Sequence, residues 1–242
     1  MTWSIVARDA ASGAFGVAVT TKAFAMGARC PHAMSGVGAI ATQSFTNPMF
    51  GTRGLRLLQQ GVAADDVVTI LTDEDDGRAI RQLHLIDAKG RNAAYTGARC
   101  IDWCGHRLGD GVSVAGNMLV GKAVVDDTFD SYIAATAAGS QPFAERLIGA
   151  LDAGQAAGGD KRGRQSAALL VYSTEDVADI NLRVDDHPEP LVELRRLLDV
   201  YYRDSAPFRA IFPTRARPSG IYDPREIEAM WAKSGRAMSF EK

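Results

Sequence analysis

The chain begins Met1-Thr2-Trp3-Ser4-Ile5-Val6-Ala7-Arg8-Asp9, turns at Ala10-Ala11-Ser12-Gly13, and continues Ala14-Phe15-Gly16-Val17-Ala18-Val19-Thr20-Thr21-Lys22. Two short apolar runs on either side of a turn that contains Ser-Gly predict a β-hairpin. The first run starts almost at the terminus, which indicates that a strand, rather than a frayed tail, occupies the start of the chain.

Thr2 has a chemical property that depends on its place in the chain. If Met1 is removed, the Thr2 hydroxyl and a free α-amine share one residue, and an α-amine titrates at about 7.7–8.0, so it can accept the hydroxyl proton near neutrality. A retained Met1 would move the free amine away from Thr2. Because a β-branched residue also suits a strand, both a catalytic and a purely structural interpretation of Thr2 remain open.

The rest of the chain shows strands and helices in pairs. The patterns predict strands at 35–43, 82–87, 92–96, 112–119, 167–172 and 177–184, and helices at 51–60, 63–72, 122–138, 142–154, 190–202 and 224–233. Regular alternation of strand and helix, as in a doubly wound fold, is absent. We therefore predict an α+β fold, a four-layer α-β-β-α sandwich of two antiparallel sheets.

Proline changes the character of the C-terminal part. Four prolines after residue 205 interrupt any long element: Pro207, Pro213, Pro218 and Pro224. We predict one domain at 1–204 and a C-terminal extension with a short helix at 205–242.

Composition excludes several functions. Of the 242 residues 46% are hydrophobic and 23% charged, with a net charge of −2, which gives no electrostatic case for binding nucleic acid or an anionic membrane. The three cysteines form no disulfide framework, and neither a signal peptide nor a membrane span is evident. We expect a cytoplasmic homo-oligomer that acts on a small-molecule substrate without a cofactor or a metal.

Several polar residues could contribute to a site. Lys22 ends the opening hairpin, where its ammonium group would lower the pKa of a Thr2 amine, although a solubilising lysine at a strand edge is an alternative. Asn47 and Asn117 follow or end strands and could donate an amide N–H to an oxyanion, or could only stabilise turns. The glycine-rich loop at 158–166 lacks the Lys-Ser/Thr pair of a phosphate loop, but five of its residues could bind a carboxylate or orient a carbonyl: Asp160, Lys161, Arg162, Arg164 and Gln165.

Metal binding is the weaker interpretation of three other clusters. Cys100, Cys104 and His106 supply only three soft ligands, so buried thiols are favoured over zinc. The acidic run at 73–76 is typical of a solvated loop. The Asp185-Asp186-His187 segment could bind a metal, but capping of the following helix is favoured.

Six segments resemble a known family: 1–9, 38–43, 46–48, 116–119, Gly158-Gly159-Asp160-Lys161-Arg162-Gly163-Arg164-Gln165-Ser166 and 182–188. They look like the bacterial and archaeal family labelled "domain of unknown function 1028", over about residues 2–203. That family is grouped with the N-terminal-nucleophile hydrolases, whose fold is a four-layer α-β-β-α sandwich. The resemblance implies that Thr2 stands where the nucleophile would be, and we assign Gln43 to substrate binding.

Two hypotheses follow. The first is a hydrolase that cleaves the C–N bond of a small amide, imide or lactam, with Thr2 as nucleophile after removal of Met1. Lys22, Asn47 and Asn117 would assist catalysis. The alternative is a non-catalytic metabolite-binding or assembly protein on the same fold. A metal-dependent enzyme built on Asp185, Asp186 and His187 is a third option.

Overall fold

A computed structural model describes residues 2–233 and 235. The chain separates into two compact units, Met1–Arg195 and Arg196–Lys242. The domain boundary that we expect at 204/205 stays a prediction, and Met1, whose removal the catalytic hypothesis requires, lies outside the described residues.

The described residues form ten strands. They are β1 (Thr2–Arg8), β2 (Phe15–Thr21), β3 (Pro31–Met34), β4 (Gly38–Ser44), β5 (Arg81–Asp87), β6 (Asn92–Thr96), β7 (Gly105–Gly109), β8 (Val112–Asn117), β9 (Ser166–Tyr172) and β10 (Ile180–Val184). One sheet has the order β10-β9-β2-β1-β8-β7 and the other β3-β4-β5-β6. All strand pairs are antiparallel.

The predicted hairpin is the centre of the larger sheet. β1 pairs with β2 in the register Trp3 to Thr20, and β1 also pairs with β8. The turn is closed by Asp9, whose Oδ2 accepts hydrogen bonds from the Ser12 backbone N and Oγ. Gly13 adopts a φ of 73°, a conformation that favours glycine.

The described residues form six α-helices, of which the first four along the chain cover the outer faces of the two sheets. They are α1 (Met49–Gln59), α2 (Ala64–Asp73), α3 (Ala123–Ala138), α4 (Phe143–Ala156), α5 (Pro190–Val200) and α6 (Pro224–Lys233). The helices α1 and α2 pack on β4, β5 and β6, whereas α3 and α4 pack on β1, β2, β7 and β8. The N-terminal unit is thus a four-layer α-β-β-α sandwich, as predicted.

The apolar core lies in separate layers. One cluster joins the outer face of β4 and β5 to α1 and α2, through Ile40, Leu83 and Leu71 among others. A second cluster fills part of the space between the sheets and includes Val6 and Ala41. Close approach is possible because Gly54 of α1 has no side chain: a Cβ there would lie 2.5 Å from Ile40 Cδ1.

Two strands were not predicted from the sequence. β3 is a half-buried strand of four residues that begins with a proline, and β7 contains two glycines and an exposed histidine, so neither shows apolar alternation. The predicted helices exist with boundaries shifted by at most two residues, and the strand expected from Val177 begins at Ile180. No described helix has the length and apolar character needed to cross a membrane.

The C-terminal unit contains short helical segments and the helix α6. A π-helical turn at Tyr201–Ser205 and a 3-10 helix at Ala206–Ile211 follow α5. The Ile221 N–H donates to Ile211 O, and the Phe208 ring meets the edge of the Trp231 ring at 5.2 Å between centroids.

Candidate functional site

Polar side chains occupy one end of the space between the two sheets. Side chains alternate along a strand, and because Val6 packs between the sheets, Thr2 and Ser4 also face the second sheet. The completely buried polar residues of this layer are Thr2, Ser4, Thr21, Gln43, Gln82, His84, Ser113, Asn117 and Ser166. Burial of polar groups is costly unless they are hydrogen-bonded, so the pairing of each group in this layer is informative.

Thr2 is the first residue of β1 and lies opposite Asn117, the last residue of β8. Thr2 Oγ1 forms a hydrogen bond of 3.2 Å with Thr21 Oγ1. Asn117 Nδ2 donates to the Thr2 carbonyl oxygen over 3.4 Å and to Gln82 Oε1 over 2.9 Å. Asn117 Oδ1 is buried and has no hydrogen-bond partner among the described residues. An acceptor is therefore open beside Thr2.

The backbone nitrogen of Thr2 points towards β8. The Arg8 N–H donates to Gly111 O, which directly precedes β8. In an antiparallel strand, the N–H and C=O groups of every second residue point to the same neighbouring strand. Thr2 is six residues before Arg8, so its nitrogen lies on the same side as Asn117.

Two glutamines connect the sheets behind Thr2. Gln43 Nε2 donates to Gln82 Oε1 over 2.8 Å and to Ala115 O over 3.1 Å. Gln43 Oε1 accepts from Ser4 Oγ at 2.7 Å and from Cys30 Sγ at 3.8 Å. Both polar atoms of the Gln43 side chain are engaged with the protein, and its role in substrate binding stays a prediction.

The hydrogen-bonded network continues from Gln82 to the surface. Gln82 Nε2 is within hydrogen-bonding distance of Gly116 O, Gly105 O and, at 3.0 Å, Thr96 Oγ1, and its two protons serve two of these acceptors at a time. Thr96 Oγ1 is 3.0 Å from Nδ1 of the exposed His106. When Thr96 Oγ1 accepts from Gln82, its own proton is available to a neutral His106.

His84 lies at the centre of the layer. Its Nε2 is 2.8 Å from Ser4 Oγ and its Nδ1 is 2.8 Å from Ser113 Oγ. Since Ser4 Oγ donates to Gln43, we assign the proton of the neutral ring to Nε2. Burial, with a smaller contribution from the charge of His106, lowers the pKa of His84 to about 3. The ring is therefore neutral at physiological pH.

The glycine-rich loop docks beside Thr21 and Lys22. The Asp160 carboxylate, of which 1% is exposed, accepts hydrogen bonds from the backbone nitrogens of Lys22 and Arg162, both at 2.8 Å, and pairs with Arg162 Nη2 at 3.2 Å. Lys22 Nζ donates to Arg164 O at 3.3 Å, and the Gln165 N–H donates to Thr21 O at 3.0 Å. The structure thus places this loop next to the residue that contacts Thr2.

The remaining loop residues point outward. Gln165 Nε2 donates to Asp186 Oδ1 at 3.0 Å, and the Arg162 guanidinium is engaged by Asp160. Lys161 is exposed and has no carboxylate partner within 4 Å in the described part of the chain.

Asn47 has partners of its own. Its Nδ2 donates to Asp75 Oδ2 at 3.0 Å, and its Oδ1 accepts from the Met49 N–H at the start of α1. Burial acts to raise the pKa of Asp75, but hydrogen bonds from Arg81 and Asn47 outweigh this and hold the pKa below its ordinary value. Asn47 is therefore committed to the start of α1, and its role as oxyanion donor stays a prediction.

The residues considered for metal binding have separate partners. Asp185 pairs with Arg183, and His187 Nδ1 accepts from the Glu189 N–H. Over residues 2–233 and 235, no group of three or more histidine, cysteine or acidic side chains could hold a metal ion.

Most of the network was not identified as a site from the sequence. Gln82 and His84 alternate with apolar residues, which predicts a half-buried strand with polar side chains in water. Here a second sheet covers that face instead. One signal could have revealed this polar layer. In a four-layer fold, a strand with alternating polar residues can turn those residues towards the other sheet instead of towards water.

The fold and this polar layer define the class of protein. It is an α-β-β-α sandwich in which Thr2, the first residue of β1, lies at the polar end of the space between the sheets. A family model, the family of unknown function DUF1028, matches residues 2–194. The chain belongs to this family. Among curated proteins no match to the chain is found.

Solved structures agree with this assignment. The crystal structure of protein SPO2555 from Silicibacter pomeroyi, also assigned to DUF1028, is 30% identical, with a TM-score of 0.84, and the alignment covers 92% of this chain and 99% of that one. Two further structures show a much weaker similarity. They are Thiobacillus denitrificans BPH (15% identity, TM-score 0.41, 73% of this chain and 100% of that chain) and Anbu, an ancestral β-subunit, from Yersinia bercovieri (14% identity, TM-score 0.40, 83% and 96%). Similarity at this level carries no functional argument.

Proposed function

We propose that this protein is an N-terminal-nucleophile hydrolase that cleaves the C–N bond of a small amide, imide or lactam. Thr2 is the nucleophile once Met1 has been removed. The observation that carries the proposal is the environment of Thr2: its hydroxyl contacts Thr21, and its nitrogen faces β8, where the buried Asn117 Oδ1 has no partner among the described residues.

Removal of Met1 turns the Thr2 amide nitrogen into an α-amine. Asn117 Oδ1 can accept one N–H of this amine, which leaves the nitrogen lone pair for the hydroxyl proton of the same residue. Thr21 Oγ1, 3.2 Å from Thr2 Oγ1, orients the nucleophile. Through its Oδ1 atom, Asn117 positions the amine.

The reaction proceeds in two steps. Thr2 Oγ1 attacks the substrate carbonyl while the amine takes the hydroxyl proton; the C–N bond then breaks, and the departing nitrogen receives that proton. Water, deprotonated by the amine, hydrolyses the resulting ester and restores Thr2. An oxyanion donor is required. Asn117 can supply one if its long Nδ2 bond to the Thr2 carbonyl, 3.4 Å, is exchanged for substrate.

Two lysines near Thr21 are suited to the polar end of the substrate. Lys22 and Lys161 are exposed, and neither has a carboxylate within 4 Å in the described part of the chain. The charge of Lys22 also favours a neutral Thr2 amine. In the proposal Asp160, Arg162 and Gln165 hold the loop that carries these charges, and Gln43 supports Asn117 through Gln82.

The decisive experiment compares two forms of the same chain. One fusion protein is cleaved so that Thr2 is the first residue, and a matched fusion leaves Met1 in place; intact mass verifies both. We expect only the form that begins with Thr2 to hydrolyse members of a panel of linear and cyclic amides and to gain the mass of a β-lactone probe on Thr2. Thr2→Ala should abolish both signals, Thr2→Ser should keep some turnover, and Thr20→Ala is the control. Equal activity of the form that retains Met1 would refute the proposal.

One observation favours the non-catalytic alternative. The Thr2 side chain is completely buried in the chain as described, whereas a nucleophile must reach its substrate. A binding protein on this fold predicts that Thr2→Ala leaves ligand affinity unchanged and that the form beginning with Thr2 reacts with no electrophilic probe.

A further inference from the structure

A cavity lies within the N-terminal unit, between the start of β7 and the first half of α3. Its volume is about 520 Å³, within the usual range for small-molecule sites. The segment before and within β7 contributes Trp103, His106 and Arg107 to its walls, and α3 with its preceding residue contributes Lys122, Val125, Asp126 and Asp130. None of these residues takes part in the proposed hydrolysis.

The guanidinium group of Arg107 is held firmly at this cavity. Its Nη2 pairs with Asp130 Oδ1 at 2.8 Å, its Nη1 lies 3.5 Å from Asp126 Oδ1, and its Cζ is 4.0 Å from the centre of the Phe129 ring. Lys122 Nζ pairs with Asp126 Oδ2 at 2.5 Å. Two cations and two carboxylates therefore balance one another around the cavity.

Several polar atoms here keep hydrogen-bonding capacity. Lys122 Nζ has three protons and donates one of them to Asp126, and the Nε2 atom of His106 has no partner among the described residues. Asp130 uses only Oδ1 in its pair with Arg107 and is 62% exposed. Donors suited to a carboxylate and an acceptor suited to an ammonium group are thus present in one cavity.

We propose that this cavity binds a zwitterion, a free α-amino acid. A ligand with a single charge would compete with one existing ion pair and leave the partner of that pair without compensation. An amino acid brings both charges, so its carboxylate is bound by Lys122 and His106 while its ammonium group is bound by Asp130. Trp103, which is half-buried, offers apolar surface to the side chain of the ligand.

The cavity is connected to the Thr2 end of the inter-sheet layer. His106 on its wall contacts Thr96, Thr96 contacts Gln82, and Gln82 contacts Asn117, each at 2.9 or 3.0 Å. Occupancy of the cavity would change the hydrogen-bonding of His106 and so reach Asn117. The binding site itself does not depend on the hydrolase proposal.

Calorimetric titration of the full chain tests the site. The probes are alanine, leucine, methionine, phenylalanine and glutamine, and for the tightest of these its N-acetyl and its carboxamide derivative, which lack the ammonium and the carboxylate charge. We expect binding of at least one free amino acid and a loss of about tenfold or more in affinity for each derivative, because each removes a charge-assisted hydrogen bond.

Substitutions of the cavity residues test whether the ligand binds in this cavity. Lys122→Gln and Asp130→Asn should each weaken binding by about tenfold, whereas Asp127→Asn, an exposed carboxylate on the same helix that does not line the cavity, should not. Absence of binding by all five amino acids overturns the proposal, as does equal binding of the derivatives or unchanged affinity in both cavity variants. All of these outcomes are measured without any assay of hydrolysis.

Discussion

At the scale of the residue, the buried His84 ring makes stability depend on pH. Its pKa is lowered from 6.5 to about 3 by burial and by the charge of His106. Below pH 6.5 this histidine is protonated in the unfolded chain, whereas in the folded chain it is protonated only below about pH 3. The contribution of His84 to the free energy of unfolding is therefore unchanged above pH 6.5 and falls as the pH drops towards 3. The slope is at most ~1.4 kcal/mol per pH unit for this one group.

Urea unfolding between pH 7.5 and 4.5 checks this prediction. Burial also lowers the pKa values of His32 and His106, which add to the wild-type slope in the same direction. His84→Gln should reduce the slope, and His187→Gln, outside the inter-sheet layer, should not. The ring resonances of His84 should stay unchanged from pH 8 to pH 4; a titration near pH 6.5 would contradict the assignment of a neutral buried ring.

Asn117 gives a second residue-scale prediction, which rests on the proposed function. The Thr2 amine must be neutral to accept the hydroxyl proton, so kcat/KM should rise with pH through the pKa of the amine. Asn117→Asp places a carboxylate where Oδ1 now lies and favours the charged amine, so the midpoint should move up by about one pH unit. A pH profile of the form beginning with Thr2 measures this shift.

Ser113→Ala, on the same strand and face, is the control and should keep the wild-type midpoint. An unchanged midpoint in Asn117→Asp would exclude contact between Asn117 and the amine.

The role of an individual residue could be predicted from the sequence only where it depends on the position of that residue in the chain. Thr2 and Asn117 could be placed at strand ends from the sequence, but that these ends lie opposite one another depends on the pairing of β1 with β8 across more than a hundred residues. Gln82 and His84 could not be assigned, because alternation does not reveal whether water or a second sheet covers the polar face.

At the scale of the element, α4 contains two glycines in opposite environments. A Cβ on Gly154 would lie 2.2 Å from Thr128 Oγ1 and 2.8 Å from Trp3 Nε1, because α4 is pressed against α3 and β1. A Cβ on Gly149 would meet nothing within 4 Å. Gly154→Ala should therefore destabilise the fold by about 1–3 kcal/mol through overpacking. Gly149→Ala should stabilise it by up to ~1 kcal/mol through helix propensity.

Chemical denaturation followed by circular dichroism measures both variants in one experiment. The two substitutions are chemically identical and lie in the same helix, so helix propensity is shared and only the neighbouring atoms differ. A gain in stability for Gly154→Ala would mean that Trp3 and Thr128 can move away at little cost.

At the scale of the molecule, the order of paired strands and paired helices was sufficient to predict four layers. The apolar periodicity of the helices indicates that each has one buried face. Packing these faces on the outer sides of two stacked sheets covers both sheets, which gives the sandwich. The edge strands β3 and β7 were missed because partly exposed edges need no apolar alternation. The character of the inter-sheet space, apolar at one end and polar at the other, depends on register and is not contained in any single segment.

The polar end of this space predicts that two amides on neighbouring strands of the smaller sheet, Gln43 of β4 and Gln82 of β5, are energetically coupled. Gln43 Nε2 donates to Gln82 Oε1 at 2.8 Å, and neither side chain has any exposed surface. Gln43→Met and Gln82→Met should each cost about 1–3 kcal/mol, because each removes hydrogen bonds from several buried polar groups. In the double variant the shared bond is lost only once, so its cost should be smaller than the sum by about 1 kcal/mol.

Urea unfolding of the four proteins completes the cycle. Gln43→Met combined with Gly154→Ala is the control, because these residues lie in different layers and share no partner, so their costs should add within about 0.5 kcal/mol. Strict additivity of the two glutamine variants would mean that the bond between these neighbouring amides contributes nothing to stability. The cost of each variant would then come from its bonds to the other sheet, such as Gln43 to Ala115 O and Gln82 to Asn117.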